Sequence, residues 1–260
     1  MAAVFGGHDP GVCAHAVRAN GLCLLGNLGH AQKSIEQEVS LAEKLNHPHS
    51  LAHALQNATI ALQIAGDHEG VERFAQRLID LAQKYNFPPQ GAHARLLSGW
   101  ARAVGRNSKA DLDVMETDYP RAIAIAPLFR YYAALLAEAR MKFGKFSDAL
   151  ALLESAIETV TEAGVGFCLP ELYRLKGMCL LAQEPPFREH AISWLQMALD
   201  VAKLQKATLF QLKAAIDLAE VASSMGQPEK GLLALRDLCA NLPQEFDAPV
   251  LAEAKQLLST

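Results

Sequence analysis

Basic side chains are too few to dominate this chain: 24 Lys and Arg stand against 28 Asp and Glu, a formal net charge of −4. A nucleic-acid partner needs a basic face, so none is expected. Long apolar runs are missing as well. None approaches the roughly 20 uncharged residues of a membrane span, so no membrane partner is expected either. The start, MAAVFGGHDPG, lacks the basic opening and long apolar stretch of a signal peptide. Cysteine is sparse and odd in number: Cys13, Cys23, Cys168, Cys179 and Cys239, with no CxxC pair. That spacing argues against zinc and redox motifs and leaves reduced, mostly buried thiols in a cytoplasmic chain as the expectation.

Catalytic signatures are missing too. No GxxxxGK[ST] phosphate loop occurs; in GKFSDAL the lysine follows Gly144, but the position five before that glycine is Ala139. No GxSxG elbow occurs. Cys13 and His15 in GVCAHA are two apart, and such neighbours point to different faces of a helix. HPHSLAH places His49 and His53 four apart with His47 close by, a spacing that suits a metal. No acidic or cysteine third ligand lies at a helical step from them, so neither metal nor cofactor is expected, and the chain reads as non-enzymatic.

What is present is a repeat. The 260 residues are 51% hydrophobic, enough for a large core. Turn glycines fall at Gly26, Gly66, Gly105, Gly144 and Gly226, with gaps of 40, 39, 39 and 82 residues, the last being two periods. The intervening turn falls in AQEPPFREHA, with Pro186 in its slot after a small insertion. Three columns keep phase with these turns. Seven residues before stand Ala19, Thr59, Ser98, Ala137, Gly177 and Ala219, all small. Five after stand Ala31, Val71, Ala110, Ala149, Ala191 and Gly231. Nine after stand Ile35, Ala75, Val114, Leu153, Leu195 and Leu235, all apolar.

These columns describe a helix–turn–helix unit. Segments such as LFRYYAALLAEARMKF hold strong helix formers with apolar residues three and four apart. Glycine ends the first helix, small residues allow close approach, and the later apolar column fills the seam. Prolines mark the unit entrances at Pro10, Pro48, Pro88, Pro127 and Pro170. One such unit cannot bury its apolar face alone, so stacking follows. The predicted fold is an all-α, right-handed solenoid of six tetratricopeptide-like hairpins in a single domain. Its units run over about 10–47, 48–87, 88–126, 127–169, 170–206 and 207–243, with a capping helix at 248–258. HEAT repeats are the structural alternative, since a period near 40 overlaps theirs. In the third unit Pro120 predicts a shortened second helix followed by an irregular segment. The N-terminal side lacks a comparable polar cap, which suggests an exposed apolar end or a start inside a longer parent architecture.

The opening FGGHDPGVCAHA, the junction LAEKLNHPHSLAHAL, the segment ELYRLKGMCLLAQ and the closing FDAPVLAEAKQLL resemble one large family. They are similar to the C-terminal tetratricopeptide region of bacterial signalling proteins that join a class III adenylate/guanylate cyclase domain to an AAA-type ATPase module. The resemblance implies that catalysis and nucleotide binding lie upstream, and that this region senses or scaffolds. It implies a protein or peptide partner, among them the cyclase and ATPase modules themselves. The carboxylate-clamp signature does not carry over: only Asn20 sits at a clamp position, and Ala16 replaces its lysine partner.

In such arrays the first helices line a groove. Phase places Asn20, His53, Gln56, Arg95, Arg102, Tyr131, Glu138, Glu171, Arg174, Lys213 and Glu220 on that face. Arg95, Arg102 and Arg174 would then be available for the carboxylates of an extended peptide. Two alternatives are a small-molecule sensor, which would carry a deep apolar pocket with few polar groups, and an unrecognised enzyme with perturbed titratable groups in a cleft.

Overall fold

Left-handed residues punctuate the backbone. Gly26, Gly66, Gly144 and Gly226 take φ of 77°, 79°, 74° and 73°. No neighbour crowds Gly66, Gly144 or Gly226, so conformation, rather than space, selects glycine there. Gly105 differs: it is the last residue of its helix, and Asn107, at φ 57°, makes the left-handed turn. A second ladder of such residues lies between the first, at Asn46, Asn86, Gly164 and Lys206. Each stands at the C-cap of a helix.

The computed structural model describes residues 7–125, 130–164, 166–183 and 187–259; Pro127 and Pro186 lie outside them. Thirteen α-helices and no β-strand occur among the described residues. The chain forms two compact units, residues 1–23 with 27–127, and residues 24–26 with 128–260. The first holds α1 (Pro10–Leu24, apart from its last residue), α2 (Leu28–Leu45), α3 (Pro48–Ala65), α4 (His68–Tyr85), α5 (Pro88–Gly105) and α6 (Lys109–Ile125). The second holds α7 (Tyr131–Lys142), α8 (Phe146–Ala163), α9 (Leu169–Leu181), α10 (Arg188–Gln205), α11 (Thr208–Ser224), α12 (Pro228–Ala240) and α13 (Val250–Ser259). In each unit consecutive helices pack in chain order: α3 on α4 and α4 on α5 in the first, α7 through α12 in the second. Odd-numbered helices also meet one another, α3 with α5, α7 with α9 and α9 with α11, and so form one layer within each unit. This is a helical-repeat fold. α13 packs on α11 and α12 and buries Ala254, where the terminal helix was expected.

Prolines at the entrances start helices as expected at Pro10, Pro48 and Pro88, while Pro170 is the second residue of α9. The missing N–H of a proline in a first turn has no intrahelical partner to lose.

The columns pack as their size requires. Ala19, Thr59, Ala137 and Ala219 are at most 1% exposed. A side chain at Gly231 would bring its Cβ to 2.6 Å from Ala219 Cα, and one at Gly177 to 2.8 Å from Leu195 Cγ. Those close approaches join the column before the turn to the columns after it. Leu153, Leu195 and Leu235 are fully buried, each contributing about 1.5–3 kcal/mol.

The third unit departs from the expected register. Ala110 is exposed and Val114 half-buried, while Leu112 and Met115 are fully buried in their stead. α5 runs through Gly105, so the left-handed turn falls two residues later, at Asn107, and α6 starts later with its inward face shifted. A Cβ at Gly99 would come within 2.8 Å of Met115 Cγ, which marks the shifted contact.

Pro120 does not end its helix. α6 continues through it to Ile125, a correction to the expected shortened helix. Pro120 itself is exposed, while Asp118 and Ala122 on either side are buried. Packing of that inner face outweighs the lost hydrogen bond. A Pro120→Ala variant should therefore be more stable. The helix-interior penalty of about 3 kcal/mol, less about 1 kcal/mol for the stiffer unfolded chain, leaves a gain near 2 kcal/mol. Urea unfolding followed by circular dichroism checks this; a lower midpoint would mean that the proline holds a bend the fold requires.

Candidate functional site

The odd-numbered helices place every residue of the expected groove face, and each unit is described by itself. In the first unit Asn20 on α1 reaches α3, donating from Nδ2 to Asn57 Oδ1 at 3.2 Å. His53 on α3 lies under the His8 ring, the two stacked at 3.7 Å between centroids and 7° between planes. Burial, with the His8 charge beside it, lowers the His53 pKa to about 4. Gln56 is half-buried, and its carbonyl accepts from Thr59 Oγ1 at 2.7 Å. That hydroxyl also meets His93 Nε2 at 3.0 Å. His93 is 2% exposed, and burial lowers its pKa to about 3.

Both arginines of α5 turn to α6. Arg95 holds Asp118 in a fork, Nε to Oδ2 at 2.8 Å and Nη2 to Oδ1 at 2.9 Å. The Asp118 hydrogen bonds raise the Arg95 pKa above its ordinary value. Arg102 donates from Nε to Asp111 Oδ1 at 2.7 Å and from Nη1 to Ser98 Oγ at 2.6 Å. Asp111 also accepts from Ser108 at 2.6 Å, which closes the turn into α6.

In the second unit the face converges on one ion cluster. Arg174 on α9 grips Glu171 one turn before it, at 2.9 Å and 2.8 Å, and reaches Asp217 on α11 at 2.8 Å. Lys213 Nζ stands 4.0 Å from Glu171 Oε1. Burial alone would raise Glu171, but Arg174 and Lys213 hold it down to about 2. Asp217 shifts the other way, raised by burial against the pull of Arg174. Tyr131 on α7 is 3% exposed, so it stands in the core beneath this face. Its pKa is raised, first by burial, then by Tyr132, Cys168, Glu138 and Glu171. Glu138 is half-buried and Glu220 exposed.

The structure thus brings Glu171, Arg174 and Lys213 together and joins Asn20 to His53 through Asn57. All three guanidiniums expected to stand ready for a partner's carboxylates are engaged by carboxylates of this chain, on the same helix or a packed neighbour. Phase alone could not show the contacts made across helices, with Asp111, Asp118 and Asp217. Lys213 is the cation of this face in the second unit that retains the most freedom: its side chain is 28% exposed against 14% for Arg174.

Three side chains that sequence spacing did not join also meet. Ligand atoms of His8, Cys13 and His53 all lie within 4.8 Å of one another. Elsewhere a cavity of about 500 Å³ opens between α10, α11 and α12. Ile192, Leu199, Leu218 and Met225 line it, with Ser193, Gln196 and Gln227 as polar groups. Cys23, Cys168 and Cys179 are buried thiols, and Cys13 and Cys239 half-buried ones. No helix among the described residues is long and apolar enough to cross a membrane.

No family model and no curated protein sequence matches this chain. Among solved structures, the crystal structure of the yeast Tom70 is similar over 98% of this chain, with a TM-score of 0.42 and 14% identity. The match spans 66% of the Tom70 chain.

Proposed function

We propose that this chain is a non-catalytic, tetratricopeptide-like module, cytoplasmic and part of a bacterial signalling protein, that takes an extended protein segment on its odd-helix layer. We read it as six helical pairs of about 40 residues, at the boundaries given above. The observation that carries the reading is the ion cluster on α9 and α11. Two carboxylates and two cations, at Glu171, Arg174, Lys213 and Asp217, are fixed within one layer. Charges already ordered by one another lose little further freedom when a partner arrives, and their mixed signs suit a segment of mixed charge. The signalling setting, with cyclase or ATPase modules as partners, rests on the junction resemblance alone.

Arg174 is unsuited to a test, because its removal would strip two buried carboxylates of their partner. Lys213 and Glu220 are better placed. The Lys213→Glu, Glu220→Lys double variant inverts the exposed part of the face while keeping net charge. On an array of extended peptides of graded charge, the variant should reverse the preference of the parent chain at unchanged helicity. Identical profiles would remove this face as the binding surface.

A second reading, a small-molecule sensor, is favoured by the cavity between α10, α11 and α12, whose volume falls in the ordinary range for ligand sites. The two are separable. A sensor would lose its ligand on filling the cavity with Ala222→Trp and keep it in the charge-inverted chain.

A further inference from the structure

A hydrogen bond that ties the N-terminal segment to α3 has two consequences. Asp9 N–H donates to Ser50 Oγ at 2.9 Å, and Ser50 is fully buried on α3. Asp9 also caps α1, its Oδ1 accepting from Gly11 N at 2.8 Å and Val12 N at 3.1 Å. His8 immediately precedes this anchor. Cys13 follows it by one turn, with its N–H donating to the Asp9 carbonyl at 3.1 Å. His53 lies one turn beyond Ser50 on α3. The tie between Asp9 and Ser50 therefore delivers an imidazole and a thiol from one side and an imidazole from the other.

The result is two ring nitrogens and a sulfur, mutually within 4.8 Å and each on a half-buried residue. Support around them is already present. The Asn57 amide nitrogen donates to the His53 carbonyl at 2.9 Å and lies 3.3 Å from His53 Nε2, with Asn20 holding the far side of Asn57. These bonds fix the turn of α3 that carries the His53 imidazole. Imidazole and thiolate together suit borderline and soft d-block ions rather than magnesium or calcium. Zinc takes such ligands at about 2.0–2.3 Å, so the three atoms must draw closer and the stacked rings must tilt. His8 can supply that movement: Gly7 before it has φ 92°, and no atom of the described residues lies within 4 Å of the place a Cβ would take there.

We propose that His8, Cys13 and His53 form a three-ligand site for a zinc-class divalent ion, its fourth position open to solvent, which staples the N-terminal segment to α3. The ion displaces the thiol proton to solvent on binding, so sulfur coordinates as thiolate.

The probe is Co²⁺, added to the full, untagged, reduced chain. Tetrahedral cobalt bound to thiolate shows visible d–d bands and a sulfur-to-metal charge-transfer band in the near ultraviolet. One equivalent should produce both, Zn²⁺ should displace them, and Zn²⁺ should raise the melting temperature. Cys13→Ser should lose the charge-transfer band, while Cys239→Ser, a half-buried thiol outside the cluster, keeps it. His8→Ala, outside every helix and so of little risk to folding, should weaken zinc binding by more than about tenfold. No charge-transfer band in the parent chain, or a band that persists in Cys13→Ser, overturns the site. Unchanged zinc affinity in His8→Ala would overturn the three-ligand set, leaving the His8–His53 contact as ring stacking only.

Discussion

Stability should fall as the solution is made alkaline, and Glu38 should be the reason. This residue lies on the inward face of α2 with Ala31, Ser34, Ile35, Val39 and Ala42. It is 0% exposed, and neither carboxyl oxygen has a hydrogen-bond partner among the described residues; nor does Ser34 Oγ one turn before it. Burial without a compensating charge raises its pKa from 4.5 to about 9. The folded chain thus binds a proton that the unfolded chain has released. The stabilisation is complete below pH 4.5 and is lost as pH rises toward 9.

Two buried histidines act in the opposite sense and in a different window. His53 and His93 are lowered from 6.5 to about 4 and about 3, so they favour the fold above pH 6.5 and lose that contribution as pH falls. Well above pH 6.5 both are neutral whether folded or not, and Glu38 dominates the slope until the thiols raised by burial add theirs near pH 9. In metal-free buffer the chain should lose about 3 kcal/mol between pH 6.5 and pH 9. Glu38→Met, close in volume and without a charge, should remove most of that slope and, matched to the parent at pH 6.5, be about 3 kcal/mol more stable than it near pH 9. Urea midpoints at pH 6.5, 7.5 and 9 decide it. Parallel curves for parent and variant would show that the Glu38 carboxyl finds a partner or solvent.

The second large effect is expected at Arg174. Its guanidinium serves Glu171 and Asp217 at once, and all three side chains are 14% exposed or less. Arg174→Leu would leave two buried carboxylates facing one another across α9 and α11, with Lys213 at 4.0 Å from Glu171 as the remaining cation. Loss of one partner of a buried pair costs about 3–5 kcal/mol. Replacing Glu171, Arg174 and Asp217 together by leucine should recover most of that loss, because no buried charge then lacks a partner. Thermal and urea unfolding of the single and triple variants test the claim. A single variant within 1 kcal/mol of the parent, or a triple variant no better than the single, would show that solvent already screens this cluster.

Several features are open to reading because they are local. A glycine at positive φ reports on its own backbone, so the turns at Gly26, Gly66, Gly144 and Gly226 follow from recurrence alone. The second ladder at Asn46, Asn86 and Lys206 stays hidden because its residue types vary. Glu38 does carry a signal: it stands three residues after Ile35 and four after Ser34, on the buried phase of its helix. That α5 continues through Gly105 to turn at Asn107 is not legible, and the shift there moves burial from Ala110 and Val114 to Leu112 and Met115. Pro120 would break an isolated helix, where no opposing face holds the chain in place; here the buried neighbours on either side do so.

Composition and spacing by themselves established an all-helical chain whose turns and small residues recur about every 40 positions, since backbone preference and close approach are written into single side chains and near neighbours. Which charge meets which was settled only by folding. Arg95 finds Asp118, Arg174 finds Asp217, and His8 with Cys13 finds His53, because helix phase and the Asp9–Ser50 tie bring distant positions to one place. Electrostatic and ligand interactions act over a few ångströms in space, and separation along the chain says little about that distance until the helices are stacked.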